Sequence, residues 1–140
     1  MAAPIRAFLS CGIKVGLGTD SGGGFSSSIL DAIRQAFIVG NARHWITKGA
    51  EERLNLQELF YLATLGGARV VGLEDKIGNF EVGKEFDALV VDCVSEDCKS
   101  AVTLVEETDN VETVWEKFLV SGDDRNILEV YVKGRSIKGQ

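Results

Sequence analysis

Asp20 closes the run Lys14-Val15-Gly16-Leu17-Gly18-Thr19-Asp20-Ser21-Gly22-Gly23-Gly24, and no other residue of this chain has a clearer capacity for chemistry. A carboxylate that ends an alternating apolar segment and opens a glycine loop can hold a divalent cation or pass a proton. The C-terminal end of a strand is where closed parallel α/β sheets keep such groups. The same run admits two other readings. Gly16-x-Gly18-x-x-Ser21 approaches a dinucleotide-binding fingerprint, but the third glycine is displaced. Asp20 would also repel a pyrophosphate there, and no acidic residue follows at the ribose spacing. No Gly-Lys-Ser/Thr phosphate loop follows either. The remaining alternative is a loop aspartate that caps the next turn.

The elements that must position Asp20 can be read from the pattern around it. Pro4 to Cys11 reads as a short helix with Ile5, Phe8 and Leu9 as apolar positions, and Gly12 stops it. Ile13 to Thr19 reads as a strand. Its odd positions are bulky or β-branched, and its even positions are Lys14, Gly16 and Gly18, leading to Asp20. Alternation puts the two sets on opposite faces. In a barrel the bulky set would meet the outer helices, the glycines would face the crowded interior, and Asp20 would lie on their side at the rim. Lys14 then needs the open bottom of the barrel. A loop from Ser21 to Ser28 leads to a long helix, about Ile29 to Thr47, with Ile33, Ala36, Phe37 and Gly40 on one stripe. Asn55 is an N-cap for a helix carrying Leu56, Leu59, Phe60 and Ala63, which Gly66-Gly67 interrupts before a further turn or two reaches Gly72.

Past residue 75 the character changes. Ala88 to Val91 is a short apolar strand, and Val111 to Val120 a helix ending before Gly122. Ile127 to Val132 alternates as a strand, and Lys133-Gly134 turns it into a hairpin with Ser136-Ile137-Lys138. Asp123, Asp124 and Arg125 cap and pair locally, Glu106, Glu107 and Asp109 form a solvated loop, and Trp45 and Trp115 are packing residues.

Size and composition set limits. With 140 residues the chain can bury a real core, but a complete eight-fold α/β barrel needs roughly 250. The net charge of −6 comes with no basic patch, which argues against nucleic acid as a partner. Its apolar runs are far below membrane-spanning length, and the N-terminal residues do not read as a secretory signal. Cys11, Cys93 and Cys98 match no common zinc spacing and read as buried or idle thiols in a reducing cytoplasm.

Val15-Gly16-Leu17-Gly18-Thr19-Asp20, with the Gly/Ser loop and Leu30-Asp31-Ala32-Ile33-Arg34, resembles the last barrel strand and helix of the amidohydrolase superfamily. Leu62-Ala63-Thr64-Leu65-Gly66-Gly67-Ala68 resembles that family's following helix. Ile77-Gly78-Asn79-Phe80-Glu81-Val82-Gly83-Lys84-Glu85-Phe86-Asp87-Ala88 resembles its return into a small β domain. Phe86 in Gly-Lys-Glu-Phe-Asp-Ala, and Gly122-Asp123-Asp124-Arg125-Asn126-Ile127 before Val130-Tyr131-Val132, are similar to the guanine-deaminating branch of the superfamily. The resemblance covers nearly the whole chain and is weakest from Cys93 to Asn110.

The resemblance implies an α/β fold class: a C-terminal fragment of a (β/α)8 metal-dependent hydrolase barrel, followed by part of a small β-sandwich domain. Residues 1–75 would hold the last barrel strand and its flanking C-terminal helices. Residues 76–140 would be a β-rich segment of the composite small domain with one helix. The implied activity, in the full-length enzyme, is hydrolysis of guanine to xanthine and ammonia. In such enzymes a zinc ion lowers the pKa of a bound water. The aspartate after the last barrel strand is both metal ligand and proton acceptor, and Asp20 matches it. The resemblance also implies a cytoplasmic homodimer.

The chain departs from the family in one respect that matters. The family binds zinc through a His-x-His pair and two further histidines, all upstream of this strand, with a glutamate for proton shuttling. Here the single histidine is His44, at or beyond the end of the long helix. A firm zinc site needs three or four protein ligands. The His-x-Glu and Pro-Cys-x-x-Cys elements of the cytidine-deaminase type are absent too. The expectation is therefore a C-terminal portion that is inactive by itself. The alternatives are a catalytically inactive product acting as an interaction or oligomerisation module, and an amidohydrolase for a triazine or another purine.

Overall fold

The computed structural model describes residues 2–94 and 105–138. The chain divides into two compact units, Met1–Asn79 and Phe80–Gln140.

The first unit is helical. Helix α1 spans Ile5–Ser10 and α2 spans Ile29–Ile46. After α2 the chain turns through Lys48 (φ 54°) and Gly49 (φ 88°), and the Gly49 N–H closes on the His44 carbonyl at 2.8 Å. This satisfies a carbonyl that the helix end would leave open. Helix α3, Leu56–Ala63, starts at a complete capping box. The Asn55 side chain accepts from the Glu58 N–H at 2.7 Å, and the Asn55 N–H donates to the Glu58 carboxylate at 3.0 Å. Ile33 of α2, Leu54, and Leu59 and Leu62 of α3 are buried together with Ala68, and Leu59 is fully excluded from solvent. Burial of each large apolar side chain contributes about 1.5–3 kcal/mol.

Helix α4, Leu65–Val70, corrects one expectation. The helical run breaks at Thr64 (φ −121°, ψ −100°), and Gly66 and Gly67 lie inside α4. The Thr64 hydroxyl bonds back to the Phe60 carbonyl at 2.8 Å, the local competition by which Ser and Thr distort helices. The strand expected over Ile13 to Thr19 is also absent, because a strand exists only through its ladder and no described segment pairs with this one.

In the second unit, β1 (Ala88–Val91), β2 (Ile127–Val132) and β3 (Arg135–Lys138) form an antiparallel sheet in that order. Leu89 faces Val130, and Tyr131 faces Ser136. Lys133 (φ 52°) and Gly134 (φ 74°) make the two-residue turn, both with the positive φ that a hairpin twist favours. Phe86 stacks edge-on against Tyr131, with ring centroids 5.4 Å apart. Helix α5, Val111–Ser121, is capped by Asn110 and buries Phe118 and Leu119. Asp123 caps the 3₁₀ turn Asp124–Asn126 and pairs with Arg125. Asp109 departs from the solvated loop expected of it, since its side chain is 9% exposed and pairs with Lys117 at 2.5 Å.

Candidate active site at Asp20

Three contacts hold the segment leading to Asp20 against α3 and α4. The Leu17 N–H donates to the Leu62 carbonyl at 3.0 Å. The Lys14 ammonium reaches the Arg69 carbonyl at 3.3 Å and the Glu74 carboxylate at 3.5 Å. Gly16 lies against Gly67, close enough that a Cβ on Gly16 would come within 2.9 Å of the Gly67 Cα. The even positions Lys14 and Gly16 therefore face α4, not a barrel interior. The reason is steric: two glycines let the backbones approach as a larger pair could not. Gly18 has nothing within 4 Å of where its Cβ would be.

Asp20 itself is exposed and has φ 49°, a left-handed conformation that Asp tolerates better than most residues. Its backbone carbonyl accepts the N–H groups of Gly23 (3.0 Å) and Gly24, so the loop folds back on it at once. The carbonyl, not the carboxylate, does this local bonding. Beyond the glycines, the Ser26 hydroxyl donates to Asp31 at 2.7 Å and Arg34 pairs with the other Asp31 oxygen at 3.0 Å, which fixes the exit into α2.

The other candidate residues lie elsewhere. His44 sits in the last turn of α2, its Nδ1 2.7 Å from the Glu51 carbonyl. Arg43 grips the Glu51 carboxylate and holds it below the usual carboxylate range. Trp45 is 70% exposed, with the Arg53 guanidinium 5.3 Å from its ring, so it is not a packing residue. Cys11 is exposed and Cys93 half-buried, and both are free thiols, so of the expected buried or idle thiols neither is a fully buried one; Cys98 lies outside the described residues. Among the described residues no three His, Cys, Asp or Glu side chains are grouped to hold a metal ion. A crevice lined by Arg6, Arg43, Glu51 and Leu54 has about 10 Å³ of room, enough for one water at most, and does not include Asp20. The composition of the run pointed to Asp20. The local pattern does not contain the Gly16–Gly67 approach, for which the paired glycines of both segments are the available signal.

A chain with this carboxylate beside a glycine loop, and with five α-helices and a small antiparallel sheet among its described residues, matches the Amidohydrolase family over residues 1–137, and it belongs to that family. Guanine deaminases are among its relatives. It is 50% identical over 126 residues to the guanine deaminase of Mus musculus, a match covering 89% of this chain and 28% of the mouse protein. The structure of guanine deaminase from C. acetobutylicum with bound guanine superposes with a TM-score of 0.80 at 33% identity, covering 96% of this chain and 29% of that one. Atrazine chlorohydrolase from Arthrobacter aurescens, complexed with zinc, superposes with a TM-score of 0.72 at 25% identity, covering 98% and 28%. The chain thus spans under a third of the length of these relatives.

Proposed function

We propose that this chain is the C-terminal portion of a zinc-dependent guanine deaminase, with residues 1–75 supplying the segment that ends at Asp20 and residues 76–140 part of the small β domain. The single observation that carries this reading is the 50% identity with the mouse enzyme. The superposition on a guanine-bound relative supports it further. The reaction adds water across the C–N bond of the amino-bearing ring carbon and releases ammonia, giving xanthine. A zinc ion supplies Lewis acidity and a lowered water pKa in such chemistry.

Asp20 fits one position of a zinc site, because an exposed carboxylate at a chain bend is a suitable oxygen donor. The described residues supply no further donors grouped with it. In this reading Asp20 helps hold the metal and accepts a proton on its carboxylate. The histidines and the guanine contacts come from outside these 140 residues, since this chain has His44 alone. No helix among the described residues is long and apolar enough to cross a membrane.

The test has two arms. In the complete enzyme, Asp20→Asn should abolish xanthine formation and lower bound zinc. The purified 140-residue chain should neither hold stoichiometric zinc nor deaminate guanine. Ordinary turnover in either arm overturns the reading.

A second reading rests on a separate observation. Phe25, Trp45 and Ile46 of the first unit are all at least 70% exposed, large apolar side chains whose burial against a partner chain would be favourable. A non-catalytic product that joins full-length subunits would co-purify with them.

A further inference from the structure

The three loop glycines are glycines for three different reasons. Gly22 has φ 111° with open space around it, so its backbone conformation requires glycine. A Cβ on Gly24 would overlap the Thr19 carbonyl oxygen, so its fit within the turn requires glycine. Gly23 has neither constraint. Its φ lies outside the left-handed region, and the three atoms nearest to an added Cβ all belong to the Asp20 carboxyl group: Oδ2 at 3.1 Å, Cγ at 3.7 Å and Oδ1 at 3.7 Å. Its φ does not by itself require glycine, and the nearest obstacle to a side chain is the Asp20 carboxylate.

We infer that Gly23 is a positioning residue for Asp20: its missing Cβ leaves the space in which the carboxylate lies over the loop. The inference rests on the role proposed above for Asp20 and adds that this role depends on a neighbour with no polar group of its own. A methyl at residue 23 pushes the carboxylate by a few tenths of an ångström. Misplacements of catalytic groups on a scale of 1 Å cost up to about 100-fold in rate.

The same geometry separates positioning from ordinary structure. Replacing a glycine by alanine in a permitted conformation reduces the freedom of the unfolded chain and stabilises the fold. Gly23→Ala should therefore lower activity without lowering stability. In the zinc-loaded complete enzyme we expect Gly23→Ala to reduce kcat by about 10-fold and to speed zinc loss to a chelator, as changes around metal ligands do. KM for guanine should stay within about twofold, and the melting temperature should hold or rise. Gly23→Ser, which adds a Cβ at the same place, should repeat the pattern. Unchanged kcat and chelator resistance in both variants would overturn the inference, and so would a kcat loss accompanied by a lowered melting temperature. Asp20→Asn measured alongside distinguishes the two failures. If it is inactive while Gly23→Ala is normal, only the positioning role falls. If it is fully active, the proposed role of Asp20 falls, and the inference with it.

Discussion

Gly16 and Gly67 meet backbone to backbone: a Cβ on Gly16 would lie 2.9 Å from the Gly67 Cα and 3.5 Å from a Val70 methyl. The obstacle is main chain, which cannot rotate away as a side chain can. Gly16→Ala should therefore act as an overpacking change and cost about 1–3 kcal/mol. Gly18→Ala, two residues on and facing open space, should stay within about 0.5 kcal/mol of the parent. Urea denaturation of the three chains reads the difference directly. Equal midpoints for the two variants would show that the close approach of the segment to α4 is not maintained in solution.

Asn126 is the one fully buried polar side chain among the described residues of the second unit, and it ties the end of β1 to the start of β2. Its Nδ2 donates to the Asp92 carbonyl at 2.8 Å, and its Oδ1 accepts the Asp123 N–H at 3.1 Å. The Asp92 N–H in turn donates to the Asn126 carbonyl at 2.8 Å. Removing the amide takes a hydrogen bond from each of the half-buried Asp92 and Asp123 main chains, at about 0.5–1.5 kcal/mol each. Asn126→Ala should lower the melting temperature by several degrees. Asn126→Asp should lower it at least as much, since it replaces a donor to the Asp92 carbonyl with a carboxylate oxygen. Near-normal melting of both would show that the link is dispensable.

What could be read in advance follows from whether a signal is local. Asn55 with Glu58, and Lys133 with Gly134, act within three residues of themselves, so α3 and the hairpin could be placed from the sequence. Helix α2 was legible because Ile33, Ala36, Phe37 and Gly40 repeat at helical spacing. Ile13 to Thr19 has the alternation of a strand, but alternation specifies a face, and a strand also needs a partner, which no described segment supplies. Glycine is a weak helix former, so by local pattern Gly66 and Gly67 predict a helix break. Close approach to Tyr61, Val15 and Gly16 overrides that weakness, and it is a tertiary fact that no local pattern contains. Asp20 was legible as a residue type in a suggestive place. Partners for it were not, and among the described residues no three His, Cys, Asp or Glu side chains are grouped to hold a metal ion.

The pH dependence of the helical unit follows from Arg6 and Glu58. The Arg6 guanidinium donates from Nη1 and Nη2 to the two Glu58 oxygens at 2.7 and 2.9 Å, and from Nη2 also to the Arg53 carbonyl. The hydrogen bond from Arg6 is the main reason the Glu58 carboxyl lies below the usual carboxylate range, and the Asn55 N–H and the Arg6 charge add to it against the opposing effect of burial. A carboxylate whose folded pKa lies below its unfolded value contributes stability that is fully present above the unfolded value, roughly pH 4.3 for Glu. That contribution is lost as pH falls through the folded pKa. Arg6 stays charged throughout and adds no titration of its own. Glu51, held down by Arg43, and Asp109, held down by Lys117, carry the same sign. The chain should therefore show a flat denaturation midpoint from about pH 5 to 7 and a steep fall below about pH 4.3. Glu58→Gln should be less stable than the parent at pH 6 and should fall less steeply in acid, so that the two curves converge near pH 3. Parallel acid limbs for the two chains would show that the Arg6–Glu58 pair does not set this response.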